Sequence, residues 1–244
     1  MTFCLGIKVD SGIVAIADSL ITSGSECITA SKVFQYEQDR QSLFIMTAGL
    51  RSVRDKALTY FEEMLDEHGS SYDRLFKAVN GLGEQLRRVA REDKEALSES
   101  GFTFDFHALI GGQFERDKEH KLYLVYPQAN WVEVGSGTPY QIIGAPGYGK
   151  PVLDRTLTYR DSMQFALKVG CLAFDSTRIS AANVDFPVEV ILYGRDSFRI
   201  VRQRFDKADL ADASGWWQER LRQSVQDLRC DWAEPLLSRV GPPR

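Results

Sequence analysis

Residues 1–18 read MTFCLGIKVDSGIVAIAD. Residues 2–9 and 13–18 are short β-rich runs, and the Asp10-Ser11-Gly12 between them is a glycine-containing turn signal. The chain is therefore predicted to open with a β-hairpin, which brings Asp18, at the end of the second run, back beside residue 2. That residue is a threonine directly behind Met1.

Working outward, residues 43–47 (LFIMT) read as another strand. Val53, Ala57, Phe61 and Met64 then repeat at helical spacing, as do Leu75, Val79, Leu82, Leu86 and Val89. Phe102, Phe104 and Phe106 alternate with Thr103, Asp105 and His107. Leu122, Leu124 and Tyr126 alternate in KLYLVYP, so residues 101–126 are expected to be strands with one apolar face. VEVG and YQIIG extend the strand region, and helices are expected near 147–158 and 161–174. PVEVILYG and SFRIVRQRF form a final hairpin across Arg195-Asp196, and a terminal helix carries Trp216, Trp217, Leu221, Val225 and Leu228. Strands clustered in hairpins imply antiparallel sheets, and paired helices must cover their outer faces. The expected class is α+β, a four-layer αββα sandwich, in a single domain over 1–244 with a C-terminal helical extension from about residue 206.

The 244 residues are 43% hydrophobic and 26% charged, enough to bury one substantial core. The net charge of -4 gives no electrostatic footprint for nucleic acid or an anionic membrane. The Arg87, Arg88 and Arg91 cluster is followed by Glu92, Asp93 and Glu95, which reads as a solvated helix face. Cys4, Cys27, Cys171 and Cys230 are scattered, and His68, His107 and His120 give them no metal-ligand spacing, so reduced thiols and a cytoplasmic location are expected. Lys8, Asp10 and Asp18 interrupt the opening apolar runs, so no signal peptide is expected, nor is a membrane span.

Chemistry gives the opening stretch its meaning. A threonine hydroxyl needs a base within reach. If Met1 is removed, the α-amine of Thr2 is that base, with a reference pKa of about 7.7–8.0. A nearby cation keeps the amine neutral and an anion holds the cation; Asp18 and Lys32 are the candidates. Gly49, closing TAGL, is the candidate oxyanion donor.

These residues resemble the N-terminal-nucleophile hydrolases of the proteasome β-subunit type. The pattern is Thr2 behind a bare methionine, Asp18 closing GIVAIAD, Lys32 after a loop, Ala48-Gly49 after a strand, GSGTPY at 135–140 and Asp175 late in a helix. Within them, YGKPVLDR at 148–155 and FDSTRIS at 174–180 look most like the Anbu, or ancestral β-subunit, branch. The resemblance implies an αββα fold, threonine-type peptidase chemistry on peptide or protein substrates, no cofactor, and self-assembly into a ring or open helical ring. It leaves room for an ATP-dependent partner. It implies Thr2 as nucleophile, Asp18 and Lys32 as its electrostatic support, the Gly49 amide as oxyanion donor, and Ser136 and Asp175 around the amine. Where the family shows Ser-Gly three residues after that aspartate, this chain has Arg178 and Ile179, so the supporting serine is Ser180, Ser176 or absent.

Two other readings remain. GAPGYGK at 144–150 satisfies the G-x-x-x-x-G-K phosphate-loop pattern, but Pro151 stands where a magnesium-binding hydroxyl belongs. A catalytically inert assembly protein is the other, with Trp216, Trp217 and Trp232 as interface anchors, although core packing is the commoner use of such a stripe.

Overall fold

The opening hairpin forms as its sequence predicts. Strand β1 (Phe3–Val9) pairs antiparallel with β2 (Gly12–Asp18), Cys4 lying opposite Ala17. The computed structural model describes residues 2–23 and 26–240, without the side chains of residues 22–27 and 70. Met1 and the Cys27 side chain, on which sequence expectations fell, lie outside the described residues.

The hairpin is the centre of a five-stranded sheet. β10 (Tyr140–Gly144) pairs along β1, β11 (Val188–Gly194) along β2, and β12 (Ile200–Phe205) closes the edge. A second five-stranded sheet runs in order through β5 (Val33–Gln38), β6 (Gln41–Gly49), β7 (Phe106–Phe114), β8 (Lys121–Val125) and β9 (Trp131–Glu133). All strand pairings among the described residues are antiparallel. A small ribbon of β3 (Leu20–Ser23) and β4 (Glu26–Thr29), which the apolar periodicity does not announce, links the two sheets.

The period-two alternation of β1 sorts its side chains between two environments. Phe3, Leu5 and Ile7 pack with Leu153 of α3 (Lys150–Thr156) and with Ala166, Ala173 and Phe174 of α4 (Met163–Ser180). Cys4, by contrast, joins Ala15, Phe44, Met46, Leu109 and Ile191 in a cluster drawn from both sheets. On the second sheet, Leu43 and Ile45 pack with Phe61 of α1 (Arg51–His68) and with Leu82 and Leu86 of α2 (Leu75–Glu99). Each fully buried side chain of this size contributes roughly 1.5–3 kcal/mol relative to exposure. The three clusters together fix how the sheets and helices stack.

Two expectations are corrected. The Phe102–Phe104 alternation is not strand: β7 begins only at Phe106, and Phe102 is exposed. Residues 101–105 instead carry the chain from α2 into the sheet, with the Asp105 carbonyl accepting from the Leu50 N–H at 2.9 Å. The terminal helix α5 (Ala211–Gln226) exists but contains no buried residue; Trp216, Leu221 and Val225 are all exposed. Its stripe is not core. The helix is held to α4 by Arg178 donating to Ser214 Oγ (2.8 Å) and by Trp217 Nε1 to Ser176 Oγ (3.4 Å).

Candidate active site

Thr2 precedes β1 at the end where β10 finishes. Phe3 lies opposite Gly144, and the Ala145 N–H donates to the Thr2 carbonyl at 2.8 Å. Gly144 has φ +94, and a Cβ there would overlap that carbonyl. Only glycine lets β10 approach Thr2 so closely. Thr2 shares β1's inward phase with Cys4, and it lines a cleft of about 770 Å³ at the open end of the inter-sheet layer.

Asp18 and Lys32 meet at the head of this cleft. Asp18 is 0% exposed and Lys32 4%, and the Lys32 ammonium donates to Asp18 Oδ1 at 2.7 Å. The same oxygen accepts from the Phe3 N–H at 2.8 Å. Burial pushes the Asp18 carboxyl above the usual carboxylate range, with Lys32 and then the Phe3 amide pulling it back. Removing one partner of such a buried pair costs about 3–5 kcal/mol. The pair thus ties the end of β2 to the first amide of β1 while leaving Lys32 on the cleft wall beside Thr2.

A polar network is built on Ser31, next to Lys32 in the chain. Ser31 Oγ donates to Glu189 Oε2 at 2.7 Å, and Arg202 bonds both Glu189 and Ser31. Neither Ser31 nor Glu189 is singled out by the sequence reading. Glu189 had a signal, because in VEVILYG it shares its phase with Ile191 and Tyr193, which face the second sheet.

Gly49 ends β6 on the opposite wall with φ +122, and a Cβ there would meet the Asp105 carbonyl. The Thr47 N–H goes to the Lys32 carbonyl at 3.2 Å, whereas the Leu50 N–H goes to Asp105 on the other side. Strand alternation therefore aims the Gly49 N–H to the Lys32 side, past Val33–Met46, where the β5–β6 ladder ends. Thr47, Arg51, Arg54, Asp105, His107 and Tyr126 also line the cleft. His107 Nδ1 lies 3.1 Å from Asp105 Oδ1.

Thr2, Asp18, Lys32 and Gly49 are thus brought together; the other candidates are not. Ser136 sits in an exposed turn at the opposite end of β1, because antiparallel pairing puts Tyr140 across from Ile7 and only Gly144 across from Phe3. The segment that reaches Thr2 is Gly144-Ala145-Pro146, which carries no hydroxyl. Asp175 is close in the chain to Phe174, whose ring packs 6.0 Å from that of Phe3. Its Oδ1, however, is held by Arg178 (2.9 and 2.6 Å), and its buried Oδ2 has no partner among the described residues. The residue that replaces the expected serine has therefore taken up the carboxylate. Ser180 is exposed at the end of α4, and Ser176 Oγ donates to the Leu172 carbonyl within the helix.

The GAPGYGK loop is used structurally. Gly144 closes on Thr2, and Lys150 is turned to the Tyr140 hydroxyl (2.8 Å) and to Asp154 (3.0 Å). Among the described residues no group of His, Cys, Asp and Glu has a metal-binding arrangement, and no helix is long and apolar enough to cross a membrane. The described cysteines Cys4, Cys171 and Cys230 are free.

Two antiparallel five-stranded sheets, with the chain start on a cleft between them and a buried Asp–Lys pair beside it, define a proteasome β-subunit-like fold. Solved Anbu structures share it over most of the chain. A Gly-1 mutant of Anbu from Hyphomicrobium sp. strain MC1 is 25% identical, covering 94% of this chain and 99% of that one, with a TM-score of 0.85. Anbu (ancestral beta-subunit) from Yersinia bercovieri is 25% identical over 93% and 98%, with a TM-score of 0.86. The Anbu complex of Pseudomonas aeruginosa, described as a helical assembly, is 24% identical over 93% and 97%, with a TM-score of 0.84. No protein-family model and no curated protein sequence matches the chain.

Proposed function

We propose that the chain is the subunit of a self-assembling, threonine-type amide hydrolase of the proteasome-like kind, acting on peptides in the cytoplasm. The three packed clusters support a four-layer αββα stacking, with α5 and the residues after it as an extension. The observation that carries the chemistry is the convergence of Thr2, the Asp18–Lys32 pair and Gly49 on one cleft.

Once Met1 is gone, the Thr2 amine accepts the proton of its own hydroxyl, and Oγ attacks the substrate carbonyl. The Lys32 ammonium disfavours a second positive charge beside it, so the amine stays available as a base. The developing oxyanion is met by the Gly49 N–H. Collapse leaves an ester on Thr2 Oγ and expels the amine product, which takes the proton held by the α-amine. Water, deprotonated by the same amine, then releases the acid and regenerates Thr2. No metal or organic cofactor enters these steps.

Intact-protein mass measurement with an electrophile directed at N-terminal threonine tests this reading. One adduct per chain is expected on the wild type, none on Thr2→Ala, and labelling slowed by about a hundredfold or more in Lys32→Met, on the scale of lost general-base assistance. An adduct that persists in Thr2→Ala overturns it. The inert-assembly reading also has a specific observation in its favour: Arg178 holds Asp175, and no serine lines the cleft among the described residues. Absence of any adduct on a chain shown to begin at Thr2 selects that reading.

A further inference from the structure

The first turn of α1 lies at the lip of the cleft and is charged against the usual rule. The leading N–H groups of a helix lack intrahelical acceptors, and that end carries partial positive charge, so acidic or capping side chains are favoured there. Here the N-cap is Leu50 with no side-chain acceptor, and no acidic residue occupies the first turn. The first helical bond runs from the Arg54 N–H to the Leu50 carbonyl at 3.0 Å, which leaves the N–H groups of residues 51–53 outside the helical ladder. Arg51 and Arg54 occupy this turn, and both line the cleft.

The charge is incompletely answered by the protein. Arg51 Nε (3.2 Å) and Arg54 Nε and Nη2 (2.8 and 2.6 Å) share the single carboxylate of Asp55, which is half exposed and does not line the cleft. A guanidinium has five N–H donors, so most of theirs remain for a ligand. Among the described residues the one acidic side chain on the cleft wall, Asp105, is turned to His107. An independent observation points the same way: Thr47 lines the cleft, is 2% exposed, and its hydroxyl has no hydrogen-bond partner among the described residues. Buried hydroxyls are normally satisfied, so a polar ligand atom is the natural partner for this one.

We propose that the cleft selects peptides bearing a carboxylate side chain, glutamate or aspartate, beside the carbonyl that is attacked. The carboxylate is held by the N-terminus of α1, by Arg51 and Arg54, and by the Thr47 hydroxyl. This rests on the peptidase reading only for the ligand being a peptide, and it adds the substrate class. The molecule as a whole carries a net charge of -4, so long-range attraction favours basic peptides. A preference for acidic ones has to come from the cleft itself.

The test measures binding of dye-labelled peptides to the full chain carrying Thr2→Ala, which removes turnover. Glutamate, glutamine and lysine twins differ only at the selecting position. The glutamate peptide is expected to bind about tenfold tighter than its glutamine twin, the range of one charge-assisted contact. Arg51→Gln and Arg54→Gln, singly and together, should bring that ratio towards one by weakening the glutamate peptide more than the glutamine peptide, with an unchanged melting temperature showing that the fold is intact. Thr47→Val should reduce the ratio by a smaller factor. Equal binding of the three peptides, no binding of any, or a ratio unmoved by the arginine variants overturns the proposal. Because binding is read without turnover, the two readings fail separately. A glutamate preference without Thr2 labelling removes the chemistry and keeps the subsite, and labelling without preference does the reverse.

Discussion

A lysine and an aspartate buried at the same point and 2.7 Å apart are explained by chemistry more readily than by stability, since well-packed apolar residues would hold the same strands as well. The sequence reading reaches both, because each lies at the boundary of an apolar run where a charge has no packing role. It does not reach Arg54 or His107 as cleft residues, because their neighbours in sequence say nothing of a cleft. A different buried group contributes to the acid response of the fold. His120 is wholly buried, with Nε2 2.8 Å from the Val9 carbonyl and Nδ1 without a partner among the described residues. Burial lowers its pKa; the Val9 carbonyl and Glu119 oppose that, while Lys8 and Arg195 add to it. In the window below the unfolded value of about 6.5, the unfolded chain binds more protons than the folded one. The His120 contribution to stability is therefore complete above that pH and is lost as pH drops through the window. Denaturant midpoints measured at about pH 7.5 and about pH 5.5 should fall for the wild type and fall less for His120→Gln. Parallel curves would show that His120 is not the titrating group.

At the scale of elements, the site depends on where strands stop. β10 ends at Gly144 because there the chain must pass the Thr2 carbonyl with no side chain in between, and β6 ends at Gly49 against the Asp105 carbonyl. Gly144→Ala forces a left-handed backbone and a backbone clash at once, mechanisms that together cost roughly 2–4 kcal/mol or displace the chain start. A lowered melting temperature with loss of Thr2 labelling is expected. By contrast Gly137→Ala, in the exposed turn beside Ser136 where a Cβ meets nothing, should leave both unchanged. Wild-type behaviour of Gly144→Ala would contradict the strand-end geometry described here. The GSGTPY segment shows how a motif misleads at this scale: its glycines and serine fit a site by composition, while the β1–β10 register carries them to the wrong end of the strand.

For the whole molecule, the most informative feature is what remains uncovered. α5 presents Trp216, Leu221 and Val225 to solvent, and Trp232, Leu236 and Leu237 follow it. A run of exposed aromatic and aliphatic side chains of this extent is expected to be buried against another surface. Self-assembly is the proposed use. Trp216→Asp with Trp232→Asp should shift sedimentation to smaller species, with each anchor worth about 2 kcal/mol or more at an interface. The melting of the isolated subunit should move by no more than the roughly 0.5 kcal/mol of an ordinary surface change. An unchanged sedimentation profile would remove this extension from the contact.

By itself the sequence determined the opening hairpin, the two long helices after the third apolar strand, and the charged or glycine positions Asp18, Lys32 and Gly49. Each of these is written in local patterns: alternation, helical spacing, turn residues, and a polar group where an apolar run ends. Only the tertiary structure decided that β10, not the turn before it, lies beside Thr2, that Arg178 takes Asp175, and that the first turn of α1 faces the cleft. Those outcomes depend on which strands become neighbours and in what register. That choice is made by the packing of residues far apart in the chain, to which no short window of sequence has access.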